Sequence, residues 1–227
     1  MLAAAAAGRA GHLMGWLAAA LFRRVQGAGF YEDLHRRAVS LLPPGQGAHW
    51  LDVGCGPGLL ARLAVARGYT VTAVDRDPAM IVAAERTPRN HADGLSFRVS
   101  SLEMLTVSPL RGAVVSAGSL LAVMDDRRQG LGHLLTLLHP GGTLLLVEPT
   151  AEMTLRRAWR WLHRQGLRRM RGRGWLLLWA ATRQPGRAVD HAGLMQALPE
   201  GGDWQVTGTP LLGGMVTVWQ ISAGGEP

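Results

Sequence analysis

Gly54, Gly56 and Gly58 alternate with Cys55 and Pro57 between two apolar runs, one ending Leu51-Asp52-Val53 and the other beginning Leu59-Leu60. Glycine reaches backbone conformations that other residues avoid and lets a ligand lie against the chain with no Cβ in between. The spacing predicts the end of a buried strand, a sharp turn and a helix start, whose free N–H groups face whatever rests on the turn. Asp75 follows about 20 positions on, where a carboxylate at the end of the next strand accepts hydrogen bonds from a ribose diol. The dinucleotide fingerprint would place its third glycine where Leu59 stands, so this loop reads Gly-x-Gly-x-Gly instead. Cys55 is the chain's one cysteine. It leaves no internal disulfide framework and no thiolate-rich metal site, and it reads as a small residue fitting the turn.

The elements that must position these residues follow from periodicity and breakers. Apolar residues 30, 34, 38, 41 and 42 keep helical spacing up to the stop at Pro43-Pro44-Gly45. Strands are expected at 48–53, 69–75, 95–100 and 113–117, and again at 143–149 after the turn His139-Pro140-Gly141-Gly142. Helices are expected at 59–67, closed by Gly68, and from Asp77-Pro78, an acidic cap with proline in the first turn. Another is expected from Asp125-Asp126 to 138. A short helix near 190–198 and two strands, 204–209 and 215–221, finish the chain, with a frayed tail after Ala223.

Three motifs taken in order carry a resemblance. Asp52 with the glycine loop, the run Asp75-Arg76-Asp77-Pro78-Ala79-Met80, and the Pro140-Gly141-Gly142 turn resemble the class I S-adenosylmethionine (SAM) methyltransferases. The likeness covers roughly 30–150 through motifs and 190–221 through topology. It implies an α/β fold: a Rossmann-like three-layer sandwich whose mostly parallel seven-stranded sheet ends in an antiparallel hairpin, with helical caps. It divides the chain into cap helices at 1–42, a SAM-binding core at 43–150, a basic helical insertion at 151–189, and a closing helix and hairpin at 190–223. It implies that SAM is the cofactor and that Asp52, Gly54, Cys55, Gly56 and Gly58 hold it. Asp75 is assigned to the ribose hydroxyls, Arg76 or Met80 to the adenine, and Ser116 in the fourth strand joins the same set. Family members often carry aspartate where Ser101 stands, so Ser101, Glu103 or the backbone at Leu102 must serve the adenine amino group here. Gly112 likewise replaces an aspartate that usually begins the fourth strand.

The activity implied is methyl transfer to a small, apolar or amphiphilic acceptor, an in-line displacement in which positioning and desolvation carry much of the rate. A base is needed only when the acceptor must lose a proton, and no catalytic residue is fixed by the sequence. Glu148, Ser119, Tyr31 and His35 lie at strand ends or in the first helix and are the groups able to orient or deprotonate an acceptor. For Tyr31, facing the active site and anchoring the helix to the sheet stand as equal readings. Two other functions stay open: a catalytically silent binding subunit, supported by Ser101 and Gly112, and an RNA-modifying enzyme.

The net charge is +8, and all 24 basic residues are arginine. Eight of them (156, 157, 160, 164, 168, 169, 171 and 173) fall within 153–173, which holds no acid, so the 16 that remain match the 16 acids. On a helical wheel Leu155, Ala158, Trp159, Leu162, Gly166 and Met170 share one side and six arginines the other. That pattern suits an anionic membrane surface, or a cap packed on the core with a solvated basic face. Trp175 and Trp179 beyond it suit an interface or a closed pocket equally. Nucleic acid fits the segment less well, since so much apolar surface adjoins it. The apolar stretch 13–22 is too short to span a bilayer and is read as a cap or surface helix rather than a secretion signal. The expected location is cytoplasmic, with peripheral membrane contact open.

Overall fold

Seven strands make one sheet: β1 (His49–Val53), β2 (Thr70–Asp75), β3 (Leu95–Val99), β4 (Gly112–Gly118), β5 (Leu138–Pro149), β6 (Trp204–Leu211) and β7 (Val216–Ala223). Their order is β3-β2-β1-β4-β5-β7-β6 in a computed structural model that describes residues 25, 27–87, 92–165, 172–183 and 185–224. The first five strands run parallel, and β7 lies antiparallel between β5 and β6. The expected Rossmann-like sheet with its closing hairpin is therefore present. The apolar stretch 13–22, the end of the arginine segment at 166–171 and the tail at 225–227 lie outside the described residues.

Side chains alternate across the sheet, as they must in an extended strand. On β5, Leu145 and Val147 enter one apolar cluster while Leu144 and Leu146 enter the other. Helices α1 (Gly29–Ser40), α2 (Leu59–Val65), α6 (Leu155–Arg164) and α7 (Arg173–Thr182) contribute to the first cluster. α4 (Leu102–Thr106), α5 (Arg127–Thr136) and α8 (His191–Ala197) contribute to the second. Burial on both faces explains why the central strands read as continuous apolar runs. Caps fix the helix starts: Asp77 accepts from the Ala79 N–H at 2.9 Å to open α3 (Pro78–Glu85), and Asp126 accepts from the Gln129 N–H at 2.9 Å to open α5.

Two expectations change. The Pro140-Gly141-Gly142 segment is not a separate turn but a bulge inside β5, because the pairing steps from Gly112↔Leu138 to Val114↔Thr143. Gly112 is needed at that bulge: a Cβ there would lie 2.5 Å from the Val114 carbonyl oxygen and 3.3 Å from that of His49. No carboxylate side chain fits the position. The arginine-rich helix, expected to run from 155 to 171, ends at Arg164. Its inner face is also rotated. Ala158 and Leu162 are buried, but Leu155 and Trp159 are 51% and 52% exposed, while Trp161 packs on the first cluster beside Gly213.

Candidate functional site

In a doubly wound sheet ligands bind outside the carboxyl ends of the strands where the strand order reverses. Here that point lies between β1 and β4, and the glycine loop leaves β1 at it. Gly54, Gly56 and Gly58 have φ of +69°, +54° and +81°, a left-handed region that residues with a Cβ rarely enter. The loop is tied to β2 by the Gly54 and Cys55 N–H groups, which donate to the Val74 carbonyl at 2.8 and 3.0 Å. The Asp75 carboxylate closes the other side, accepting from the Gly56 N–H at 2.8 Å and the Asp77 N–H at 2.9 Å. Asp75 thus braces the loop from the end of β2, with lone pairs left on both oxygens for a diol.

Asp52 is buried in β1 directly before the loop, and its register partner on β4 is Ser116. The Ser116 hydroxyl donates to Asp52 Oδ1 at 2.6 Å and accepts from Trp50 Nε1 at 2.7 Å. Asp52 Oδ2 is sealed from solvent and has no hydrogen-bond partner among the described residues. Burial pushes this carboxyl up to about 7, opposed by the Ser116 hydrogen bond, reinforced by the Asp75 charge and opposed again by the Ala61 N–H near the start of α2. An orphaned carboxylate oxygen beside a nucleotide-type loop fits a ligand that brings its own cation, as the ammonium of an amino-acid moiety does. Cys55 is buried, its Sγ donating weakly to the Gly56 carbonyl at 3.5 Å, and burial followed by the Asp52 and Asp75 charges raises its thiol pKa. It fills the turn as an inert thiol.

The remaining sequence candidates divide. Met80 is buried in α3 and Arg76 is exposed just before it, both following Asp75 on the β2 side of the cleft. Ser101 caps α4, its hydroxyl accepting from the Met104 N–H at 3.4 Å, and Leu102 is buried behind it. Glu148 is wholly buried at the end of β5 and uses both oxygens on backbone: Oε1 accepts from Leu121 N–H at 2.9 Å and Oε2 from Ala122 N–H at 3.3 Å. Burial raises it to about 8, against the pull of those N–H groups. Its geometry is that of a pin for the 3-10 turn Leu121–Val123, not of a base open to an acceptor. Ser119 has a left-handed φ of +55° and donates its N–H to the Val147 carbonyl at 2.9 Å. That strained corner turns the chain out of β4 beside the glycine loop, since a Cβ on Gly54 would lie 3.5 Å from Leu120 Cδ1.

Tyr31 and His35 come over the same crevice on α1. Their rings are 4.2 Å apart, Trp179 of α7 lies 5.5 Å from Tyr31, and Phe30 lies 6.5 Å from Trp179. Sequence reading missed the Trp50–Ser116–Asp52 chain and the meeting of α1 with the end of β4. Neither has a local signal, because both depend on which strands are neighbours.

A methyltransferase domain model matches residues 22–187. That is well over half of the chain, which therefore belongs to the methyltransferase-domain family, with SAM as its cofactor. Relatives at 30% identity over 99 residues and 35% over 101 residues are the ubiquinone biosynthesis O-methyltransferases of Coxiella burnetii and Xanthomonas campestris. The aligned part is 44% of this chain and 42% of each relative, so the match spans less than half the length of these proteins. Among solved structures, the plantazolicin methyltransferase BamL in complex with SAH aligns with a TM-score of 0.64 at 12% identity, over 89% of each chain. The mitomycin 7-O-methyltransferase MmcR aligns with a TM-score of 0.60 at 18% identity, over 85% of this chain and 53% of its own. At those identities the likeness is one of fold.

Proposed function

We propose that this protein transfers a methyl group from SAM to a small acceptor that is apolar or amphiphilic and carries a hydroxyl. The observation that carries the reading is the aromatic cluster of Phe30, Tyr31 and Trp179, which packs on His35, the side chain that reaches Gly118 at the end of β4. Aromatic faces favour a flat or apolar partner and exclude water from it. The relatives named O-methyltransferase support oxygen as the accepting atom. The segment 151–189, with α6 and α7, serves as the cap over the acceptor, α1 forms the described part of the 1–42 cap, and 43–150 with 190–223 form the body of the sheet.

SAM, when bound, supplies an electrophilic methyl on a cationic sulfur that leaves as a neutral thioether. The chain's own residues bind and orient. The left-handed glycines would let the donor rest on bare backbone, Asp52 behind the loop would favour its cationic amino-acid end, and Asp75 would receive the ribose hydroxyls. On the adenine side, Arg76 and Met80 would border the ring, with Ser101, Glu103 or the backbone at Leu102 serving the amino group. Ser116 acts through Asp52 as a positioning residue. Incubating the protein with methyl-labelled SAM and cell extract, then sorting label into lipid, RNA and polar pools, tests the reading. Label in the lipid or small apolar pool is expected; label in RNA alone would favour an RNA-modifying enzyme, and no label with intact SAM binding a silent subunit.

The outer edge of α6 supports contact with an anionic membrane surface. Leu155 and Trp159 project beside the exposed Arg156 and Arg160, so apolar groups and cations meet along one line as at a headgroup boundary. Among the described residues no helix is long and apolar enough to cross a membrane. Flotation with phosphatidylglycerol vesicles but not with neutral phosphatidylcholine vesicles is the expected behaviour, and equal or no flotation would count against it.

A further inference from the structure

We propose that His35 is the general base of the transfer, its Nε2 taking the proton of an acceptor hydroxyl seated between Gly118 and the Phe30–Tyr31–Trp179 wall. This inference rests on the hydroxyl acceptor proposed above and names the group that would activate it.

The orientation of the imidazole is fixed by chemistry. His35 Nδ1 lies 2.8 Å from the Tyr31 carbonyl oxygen, one turn back in α1. A carbonyl oxygen only accepts, so Nδ1 must carry the proton and Nε2 must carry the lone pair. Among the described residues Nε2 has no hydrogen-bond partner. It points at the last residue of β4, where a Cβ built on Gly118 would lie 3.7 Å from it. β4 and β1 flank the switch point, so the free lone pair stands over the crevice that the glycine loop borders. A side chain at 118 would fill the space beneath Nε2; glycine leaves it open.

The surroundings hold the ring ready. His35 is buried, and burial lowers its pKa to about 4 against the pull of the Tyr31 carbonyl, so the ring is neutral at pH 7. Tyr31 stacks obliquely on it and Trp179 backs Tyr31, which limits ring rotation. Glu148 and Ser119, the other groups at these strand ends, are committed to backbone partners or to a corner of the chain.

The step balances. The acceptor O–H bond breaks and its proton goes to Nε2. The oxygen electron pair forms the new C–O bond, and the C–S bond breaks with its pair passing to sulfur, giving a methyl ether and a neutral thioether. The imidazole gains one positive charge as the sulfonium loses one, so the net charge of the dry cleft is unchanged. Burial therefore opposes protonation of His35 in the free protein more than during transfer. Release of the ether lets the imidazolium return its proton to water.

Two variants and a spectroscopic readout test this. Nitrogen NMR of the free protein should show His35 as the Nδ1-protonated neutral tautomer at pH 7; the Nε2-protonated form would overturn the proposal before any assay. His35→Ala should keep SAM affinity by calorimetry and lose roughly 10²–10⁴-fold in kcat, and added imidazole should restore part of the rate in proportion to its concentration. Gly118→Ala, whose methyl meets only ordinary contact, should fold and bind SAM normally. It should lose roughly 10-fold or more in kcat/KM for the acceptor. If wild-type protein methylates a hydroxyl and His35→Ala keeps the rate, or loses it with no imidazole rescue, His35 is not the base and the acceptor class stands. If wild-type protein labels only non-hydroxyl acceptors, the reading of the acceptor falls and the base with it.

Discussion

Replacing Asp52 by asparagine separates the cost of its buried charge from its use. The wild-type carboxyl rises from an ordinary 3.8 to about 7, chiefly through burial. At roughly 1.4 kcal/mol per pH unit, the charged carboxylate is held in the ligand-free fold at a cost of about 4 kcal/mol. The sign follows from proton uptake. Between about pH 4 and 7 the folded protein keeps a proton that the unfolded chain has lost, so wild-type stability falls as pH rises through that window. In Asp52→Asn the amide would keep an oxygen for the Ser116 hydroxyl but cannot ionise, and this slope should vanish. Urea unfolding of ligand-free protein at pH 5 and pH 8 measures it. The stability difference between variant and wild type should shift in the variant's favour by about 2–4 kcal/mol from the lower to the higher pH. A fixed offset from the amide left beside the orphan position does not affect that comparison. The same substitution should weaken SAM binding by roughly 10- to 100-fold, the scale of a hydrogen bond to a charged group. A difference that does not change with pH, or unchanged SAM affinity, would refute the role given to Asp52.

Other outcomes follow from the geometry. Gly112→Ala forces a methyl against the Val114 carbonyl and should cost about 1–3 kcal/mol in urea unfolding, whereas Gly141→Ala, with open space at its Cβ, tests only the left-handed backbone. Cys55 should resist a water-soluble disulfide reagent at pH 8 in the folded protein and react at once in guanidinium. Trp159→Ser should change stability by no more than about 0.5 kcal/mol while abolishing flotation with anionic vesicles; retained flotation would move the membrane contact away from α6.

Much of the fold was legible because the sheet is buried on both faces. Apolar runs such as Leu144-Leu145-Leu146 and Val114-Val115 can be little else, and the caps at Asp77 and Asp126 mark where helices begin. The glycine loop and Asp75 were legible because left-handed backbone and a carboxylate at a strand end leave residue types as their trace. What escaped depends on register and on contacts between distant segments. That Ser116 faces Asp52, and that Trp50 completes the chain, follows only from the β1–β4 pairing. The absence of an acid at Gly112 read as a lost binding group, yet its cause is backbone crowding at a bulge. The wheel for α6 placed Trp159 inward, but the helix turns Trp161 toward the Gly213 corner and leaves Trp159 outside. His35 gained its significance from Gly118, a residue far along the chain, and no spacing rule connects them.

The central claim is that the loop of left-handed glycines, with Asp52 beneath it and Asp75 beside it, is a SAM site. Calorimetric titration of the full chain with SAM tests this most directly. Saturable binding of one SAM per chain, weakened by both Asp52→Asn and Gly56→Ala, is the result expected. No binding at millimolar SAM by a folded wild-type protein would contradict it.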